Sequence, residues 1–89
     1  MKKKRRKLNK DFEKKIYTSK KNVELVLAKI YDIDDEDIQK EYMSAFNKVV
    51  YLYDELKDDY ERQGFSDNSE ELLTSYKNAF NLFESEFEI

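Results

Sequence analysis

The 89-residue sequence contains no cysteine, histidine, proline or tryptophan, and it has a single glycine. Without cysteine there are no disulfides, thiolate zinc sites or thiol nucleophiles. Without histidine the chain lacks the side chain that most often serves as general base or metal ligand. One glycine and no proline leave almost no turn chemistry for a β protein and no glycine-rich loop for a phosphate. These absences favour long helices with few turns, and they argue against an enzyme.

The aromatic residues point to a folded chain. Charged residues make up 42% of the sequence, a share that by itself would suggest disorder. Seven tyrosines and six phenylalanines argue otherwise, because disordered chains are poor in aromatics and each ring can bury a large apolar area. The sequence therefore predicts one small domain with a thin core.

The stretch from Ile38 to Gly64 carries the strongest pattern. Apolar residues recur there at steps of three and four, the period of one helix face. They are Ile38, Tyr42, Ala45, Phe46, Val49, Val50, Leu52, Tyr53, Leu56 and Tyr60. Gly64 fits the left-handed position after a helix, and an apolar contact of Tyr60 with Phe65 would complete a Schellman motif. We interpret this stretch as the central helix.

We predict an all-α fold, a small three-helix bundle with helices over about 11–31, 35–63 and 69–87 of a domain at 11–89. Residues 1–10 are expected to form a disordered basic tail. The polar stretch 18–22 leaves open a division of the first helix, which would make four helices, although we favour continuity. Asp34 is the expected cap of the central helix, and a capping box is expected at residues 67–71. The long central helix, with Tyr51 and Met43 outside its apolar stripe, suggests a homodimer.

Charge is divided unevenly along the chain. Six adjacent cations open it, and the remaining residues hold 11 basic and 20 acidic side chains, a balance of −9. The acidic run Asp32–Asp37 superficially resembles a calcium loop. Counted from Asp32, however, the sixth position is Asp37 instead of glycine and the twelfth is Met43 instead of glutamate. Helix capping explains the run better, so we expect no metal site, no cofactor and no catalytic residues.

Two sets of residues are candidates for binding. The first is an acidic surface on the central helix that could bind a basic surface of another protein. Its members are Tyr51, Asp54, Glu55, Asp58, Asp59 and Glu61. The second is the basic start of the chain, which could contact nucleic-acid phosphates. Its members are Lys2, Lys3, Lys4, Arg5, Arg6 and Lys7. Ordinary solvated surface is the competing interpretation of both sets.

The leading hypothesis is a non-enzymatic protein that binds and blocks a protein partner, an inhibitor, immunity factor or antitoxin encoded by a phage or mobile element. The bias toward Lys, Asn, Ile, Tyr and Phe suggests an AT-rich genome of a Gram-positive bacterium or its phage. In size, charge and helix count the chain is similar to immunity proteins of class II bacteriocins, without a shared motif. No apolar segment follows the basic start, and no run could span a bilayer, so we expect a cytoplasmic protein.

The alternative is a nucleic-acid-associated packaging or regulatory subunit that uses the basic tail. Over a quarter of the chain, Tyr42 to Gly64, a helix that ends in glycine before a second helix resembles part of the small terminase subunits of phages. A third class is a structural oligomeriser whose interface contains Tyr51 and Met43.

Overall fold

The computed structural model describes residues 7–88 and confirms the all-α three-helix bundle. Helix α1 spans Lys10–Tyr31, α2 spans Glu36–Gln63 and α3 spans Asp67–Glu86. Neighbouring helices are antiparallel, because Tyr60 near the end of α2 contacts Glu13 at the start of α1, and Tyr42 near the start of α2 contacts Phe87 just after α3. The result is an elongated body with extents of 56 × 21 × 18 Å.

Each helix presents a seam of core positions at alternating steps of four and three, the spacing of a coiled-coil face. In α1 the seam is Phe12, Ile16, Ser19, Val23, Val26 and Ile30; in α2 it is Tyr42, Phe46, Val49, Tyr53, Leu56 and Tyr60; in α3 it is Ser69, Leu73, Tyr76, Phe80 and Phe83. The seams of α1 and α3 both pack on α2, which is therefore the centre of the bundle.

Helix α1 is continuous through the polar stretch 18–22, in agreement with the favoured interpretation. Ser19 occupies a seam position and is buried, and its hydroxyl donates to the Lys15 carbonyl within the helix at 2.8 Å. The Ser19 carbonyl accepts a hydrogen bond from the Tyr76 hydroxyl of α3 at 3.2 Å. A small residue is needed here because the Tyr76 ring crosses from α3 toward α1 at this level.

The contact between α2 and α3 is aromatic along most of its length. The Phe46 ring lies 4.8 Å from Phe83, and Tyr42 lies 4.8 Å from Phe87. Tyr42 also donates a hydrogen bond to the Glu88 carbonyl at 3.2 Å. Acidic side chains at the end of a helix are disfavoured by the helix dipole, but these contacts hold the end of α3 against α2.

The helix caps differ in detail from the predicted ones. Asp35, one residue after the expected Asp34, caps α2 by accepting from the backbone of Asp37 and Ile38. Ser66 with Ser69 forms the capping box of α3, upstream of the pairs predicted at 67–71. Each correction moves a cap by one or two residues, because neighbouring Asp, Asn and Ser side chains have similar capping ability.

Gly64 adopts a positive φ, as predicted, with φ 78° and ψ −163°. This ψ is far from the left-handed helical value, so the predicted Schellman motif does not form. The Phe65 N–H instead donates to the Lys7 carbonyl at 2.6 Å, and Lys7 makes an isolated parallel bridge with Gly64. The Phe65 ring packs on Phe12, 5.1 Å away.

The described fold therefore starts before α1. Residues 7–10 were expected to belong to the tail, but Lys7 is paired with Gly64 and Asn9 caps α1. The Asn9 N–H donates to the Tyr60 hydroxyl at 3.0 Å, and that hydroxyl donates to Glu13 at 2.6 Å. The part of the predicted tail at residues 1–6 lies outside the described residues.

Candidate functional site

Four of the predicted partner-binding residues lie on the side of α2 that faces away from the bundle. We call Tyr51, Asp54, Glu55 and Asp58 the outer face. Helical geometry places them opposite the buried side chains of the α2 seam. Tyr51 is 61% exposed, although a ring of this size would bury a large apolar area in a protein contact. The outer face thus combines one exposed aromatic ring with three carboxylates on a rigid helix.

Two members of the outer face, Tyr51 and Asp58, interact with charged side chains. Glu55 raises the pKa of Tyr51 above its ordinary value of 10.0, first by hydrogen bonding with the hydroxyl and then by its charge. Arg62 donates to Asp58 at 3.0 Å, but both side chains are more than half exposed. An exposed pair of this kind contributes little to stability and leaves Asp58 accessible. Glu61 is also exposed, near the end of α2.

Asp59 does not belong to this surface, and its assignment to it was wrong. The residue is only 3% exposed. One carboxyl oxygen accepts from the Asn68 side chain at 3.0 Å, and the other accepts from the Ser69 hydroxyl at 3.3 Å. Asp59 thus joins the end of α2 to the start of α3 and has a structural role.

A groove that the sequence did not predict runs between α1 and α3, on the side of the bundle away from α2. Its volume is about 530 Å³. Four lysines and one glutamate line it, so it is positively charged although the chain as a whole has a net charge of −3. They are Lys14, Lys15, Lys29, Lys77 and Glu84.

The groove also has apolar lining. Val26 and Tyr76 are buried at its base, Phe80 is half-buried, and Leu25 is 56% exposed. Leu25 could have signalled the groove in the sequence, because it is a large apolar residue outside the α1 seam. The basic lining could not have been found in this way, since it combines lysines from two helices whose relative register depends on tertiary packing.

No protein-family model, curated protein or solved structure matches this chain. Its function must therefore be argued from its own surfaces.

The described part of the chain has neither a metal-binding cluster nor a membrane-spanning helix. Residues 7–88 contain no group of three or more acidic side chains arranged to hold a metal ion, and this includes Asp32–Asp37. None of the helices in this range is both long enough and apolar enough to cross a membrane.

Of the predicted nucleic-acid-binding residues, Lys2, Lys3, Lys4, Arg5 and Arg6 lie outside the described residues. Lys7 is described, and its ammonium lies 5.8 Å from the centre of the Phe65 ring.

Proposed function

We propose that this chain is a non-enzymatic helical module that binds and blocks another protein through the outer face of α2. The observation that carries the proposal is the exposure of Tyr51 among Asp54, Glu55 and Asp58. Tyrosine is enriched among residues that dominate binding energy, because it is large and amphipathic and loses little conformational entropy. The carboxylates around it would attract a basic partner surface and orient it.

Blocking would be steric and electrostatic. From Tyr51 to Asp58 the outer face extends about 10 Å along the helix, at about 1.5 Å per residue. The helix continues well beyond both ends of this surface, within a body 56 Å long, so a partner held at Tyr51 would have a larger area of its own surface covered. This mechanism suits a small inhibitor, immunity factor or antitoxin, which is the class that we propose.

Photocrosslinking tests the proposal. A benzophenone amino acid replaces Tyr51 in one version of the chain and Tyr31 in a control version, since Tyr31 is a similarly exposed tyrosine at the end of α1. Each version is irradiated in an extract of cells that express the chain. We expect a discrete protein adduct from position 51 and none of that mass from position 31.

A charge-reversal variant then tests whether the adduct depends on the acidic side chains. In Asp54→Lys/Glu55→Lys/Asp58→Lys the adduct at position 51 should be lost, while the circular dichroism spectrum should remain helical because Asp54 and Asp58 are exposed and Glu55 is only half-buried. Identical adducts from positions 51 and 31, or an adduct that survives charge reversal, would contradict the proposal.

The second candidate function is nucleic-acid association through the basic start of the chain. The run of six adjacent cations favours it, as does the attachment of Lys7 to Gly64, which joins the run to the fold. The test is a deletion of residues 2–6 that keeps Lys7, because the Lys7 backbone pairs with Gly64 and Phe65. We expect the deletion to abolish binding to duplex and single-stranded nucleic acid at low salt and to flatten its salt dependence. Unchanged binding would contradict this function.

A further inference from the structure

The groove between α1 and α3 leaves apolar side chains of the bundle uncovered. Both helices pack on α2, and the hydrogen bond from Tyr76 to the Ser19 carbonyl connects them across the base of the groove. Above that base, Leu25 remains 56% exposed and Phe80 is only half-buried. A helical bundle commonly covers such apolar side chains with another helix.

We propose that this groove binds an acidic amphipathic helix of a partner protein, which would lie between α1 and α3 as a fourth helix. The lining extends on α1 from Lys14 to Lys29, a length of about 22 Å or four helical turns. Binding of an amphipathic helix in an apolar groove uses side chains at steps of three and four. Leu25 and Phe80 would contact the apolar face of the occupant.

Charge complementarity identifies the occupant as acidic. Lys77 follows Tyr76, which bonds to Ser19, and it lines a second cavity together with Lys15, so Lys77 lies near Lys14 and Lys15 toward the end of the groove where α1 begins. Lys29 and Glu84 line the groove near its other end. Carboxylates flanking the apolar face of an incoming helix would meet three lysines at the first end, whereas a basic helix would be repelled there.

Three occupants that the chain itself offers do not suit the groove. Its basic start, Lys2 to Lys7, has the same charge sign as the groove. Two copies joined by this groove would bring together two linings of net positive charge, because each holds four lysines and one glutamate. The outer face of α2 in a second copy is acidic, but Tyr51 is its only large apolar side chain, so it has no apolar stripe to cover Leu25 and Phe80. These considerations favour a different protein.

The probe for the test is a fluorescein-labelled peptide of about 16 residues, long enough to follow the groove at 1.5 Å per residue. It carries leucines at helical steps of three and four and glutamates elsewhere, and a twin peptide carries lysine in place of every glutamate. Fluorescence anisotropy with the full chain should give an affinity for the acidic peptide about tenfold or more higher than for the basic twin. The affinity should fall as salt is added, because salt screens exposed charges.

Two pairs of variants locate the binding. Lys14→Glu/Lys15→Glu/Lys77→Glu should weaken binding of the acidic peptide about tenfold or more. Its control, Lys40→Glu/Lys48→Glu/Lys57→Glu, makes the same change of net charge on α2, outside the groove, and should leave the affinity unchanged. Leu25→Ala should weaken binding, whereas Leu82→Ala, at a similarly exposed leucine outside the groove, should not.

Several results would overturn the proposal. They are no binding of the acidic peptide, equal binding of the two peptides, or equal loss of affinity in a groove variant and its control. Displacement of the peptide by duplex DNA that binds more tightly to the same lysines would assign the groove to nucleic acid instead. Self-association that is lost on reversal of either the groove lysines or the outer-face carboxylates would assign it to a second copy. Tyr51→Ala should leave peptide affinity unchanged, so failure here is distinguishable from failure of the proposed function.

Discussion

Replacement of Asp59 by alanine should destabilise the bundle far more than the same replacement at Asp58. The two residues are adjacent in sequence, and sequence reasoning assigned both to one acidic surface. In the structure Asp59 is 3% exposed and accepts hydrogen bonds from Asn68 and Ser69, whereas Asp58 is largely exposed and paired with Arg62. Their substitution by alanine therefore separates a buried connection from a surface charge.

The loss of stability in each variant depends on the hydrogen bonds that the remaining side chains can still make. In Asp59→Ala, Asn68 is exposed and its amide can bond to water, while the Ser69 hydroxyl still reaches the Gly64 carbonyl at 3.0 Å. No buried donor is left without an acceptor, so the loss is mainly that of two hydrogen bonds, about 1–3 kcal/mol. In Asp58→Ala the exposed pair with Arg62 is lost, at a cost of about 0.5 kcal/mol or less. Asp59→Asn keeps one acceptor oxygen and should fall between the two.

Urea denaturation followed by far-UV circular dichroism measures these differences as shifts in the free energy of unfolding. Thermal unfolding should agree, with a decrease of about 4–8 °C in Tm for each kcal/mol in a domain of this size. An equal loss of stability in Asp59→Ala and Asp58→Ala, within about 0.5 kcal/mol, the usual range for surface substitutions, would contradict this prediction. That result would mean that the connection between α2 and α3 at Asp59 contributes nothing.

Two further predictions concern Gly64 and the buried tyrosines. Gly64→Ala should cost about 1–3 kcal/mol in urea denaturation, because φ 78° with ψ −163° is a conformation essentially restricted to glycine; a loss below about 0.5 kcal/mol would contradict this reading. Burial is the largest cause that raises the pKa values of Tyr53 and Tyr76 above the ordinary 10.0, so the folded state holds both protons more tightly than the unfolded chain. Their contribution to stability is therefore complete below pH 10.0 and is lost as the pH rises through the folded pKa values. Unfolding free energies measured from pH 8 to 11 should fall at the alkaline end, and Tyr53→Phe should reduce the slope; an unchanged slope would contradict the assignment.

The fold class was predictable because the apolar period of α2 is long and uninterrupted, and because glycine and proline are almost absent. The continuity of α1 was uncertain from the sequence because residues 18–22 are polar, and a pattern built on apolar residues alone omits serine. Ser19 nevertheless keeps the alternation of four and three between Ile16 and Val23. A buried serine whose hydroxyl bonds to its own helix can occupy a seam position, and spacing was the better guide here than hydrophobicity.

The candidate surfaces were less predictable than the fold, for reasons visible at single residues. Asp59 looks like its acidic neighbours in the sequence, and only the approach of Asn68 and Ser69 from α3 shows that it is buried. Lys15 and Lys77 are separated by most of the chain, so a shared basic groove cannot be derived from local pattern. Helical period assigns a residue to a face, but only packing decides which faces of different helices meet.

The outer face of α2 and the groove between α1 and α3 have opposite charge and lie on opposite sides of the bundle. Since α2 is the centre of packing, its outer face is directed away from both other helices and carries Asp54, Glu55 and Asp58. The groove between α1 and α3 opens on the opposite side and carries Lys14, Lys15 and Lys77. A basic partner and an acidic partner would therefore be directed to opposite sides of a body about 20 Å thick, as its 21 and 18 Å extents show. This separation would let one small chain hold two proteins at once, and binding of the acidic helical peptide should then leave crosslinking at Tyr51 unchanged.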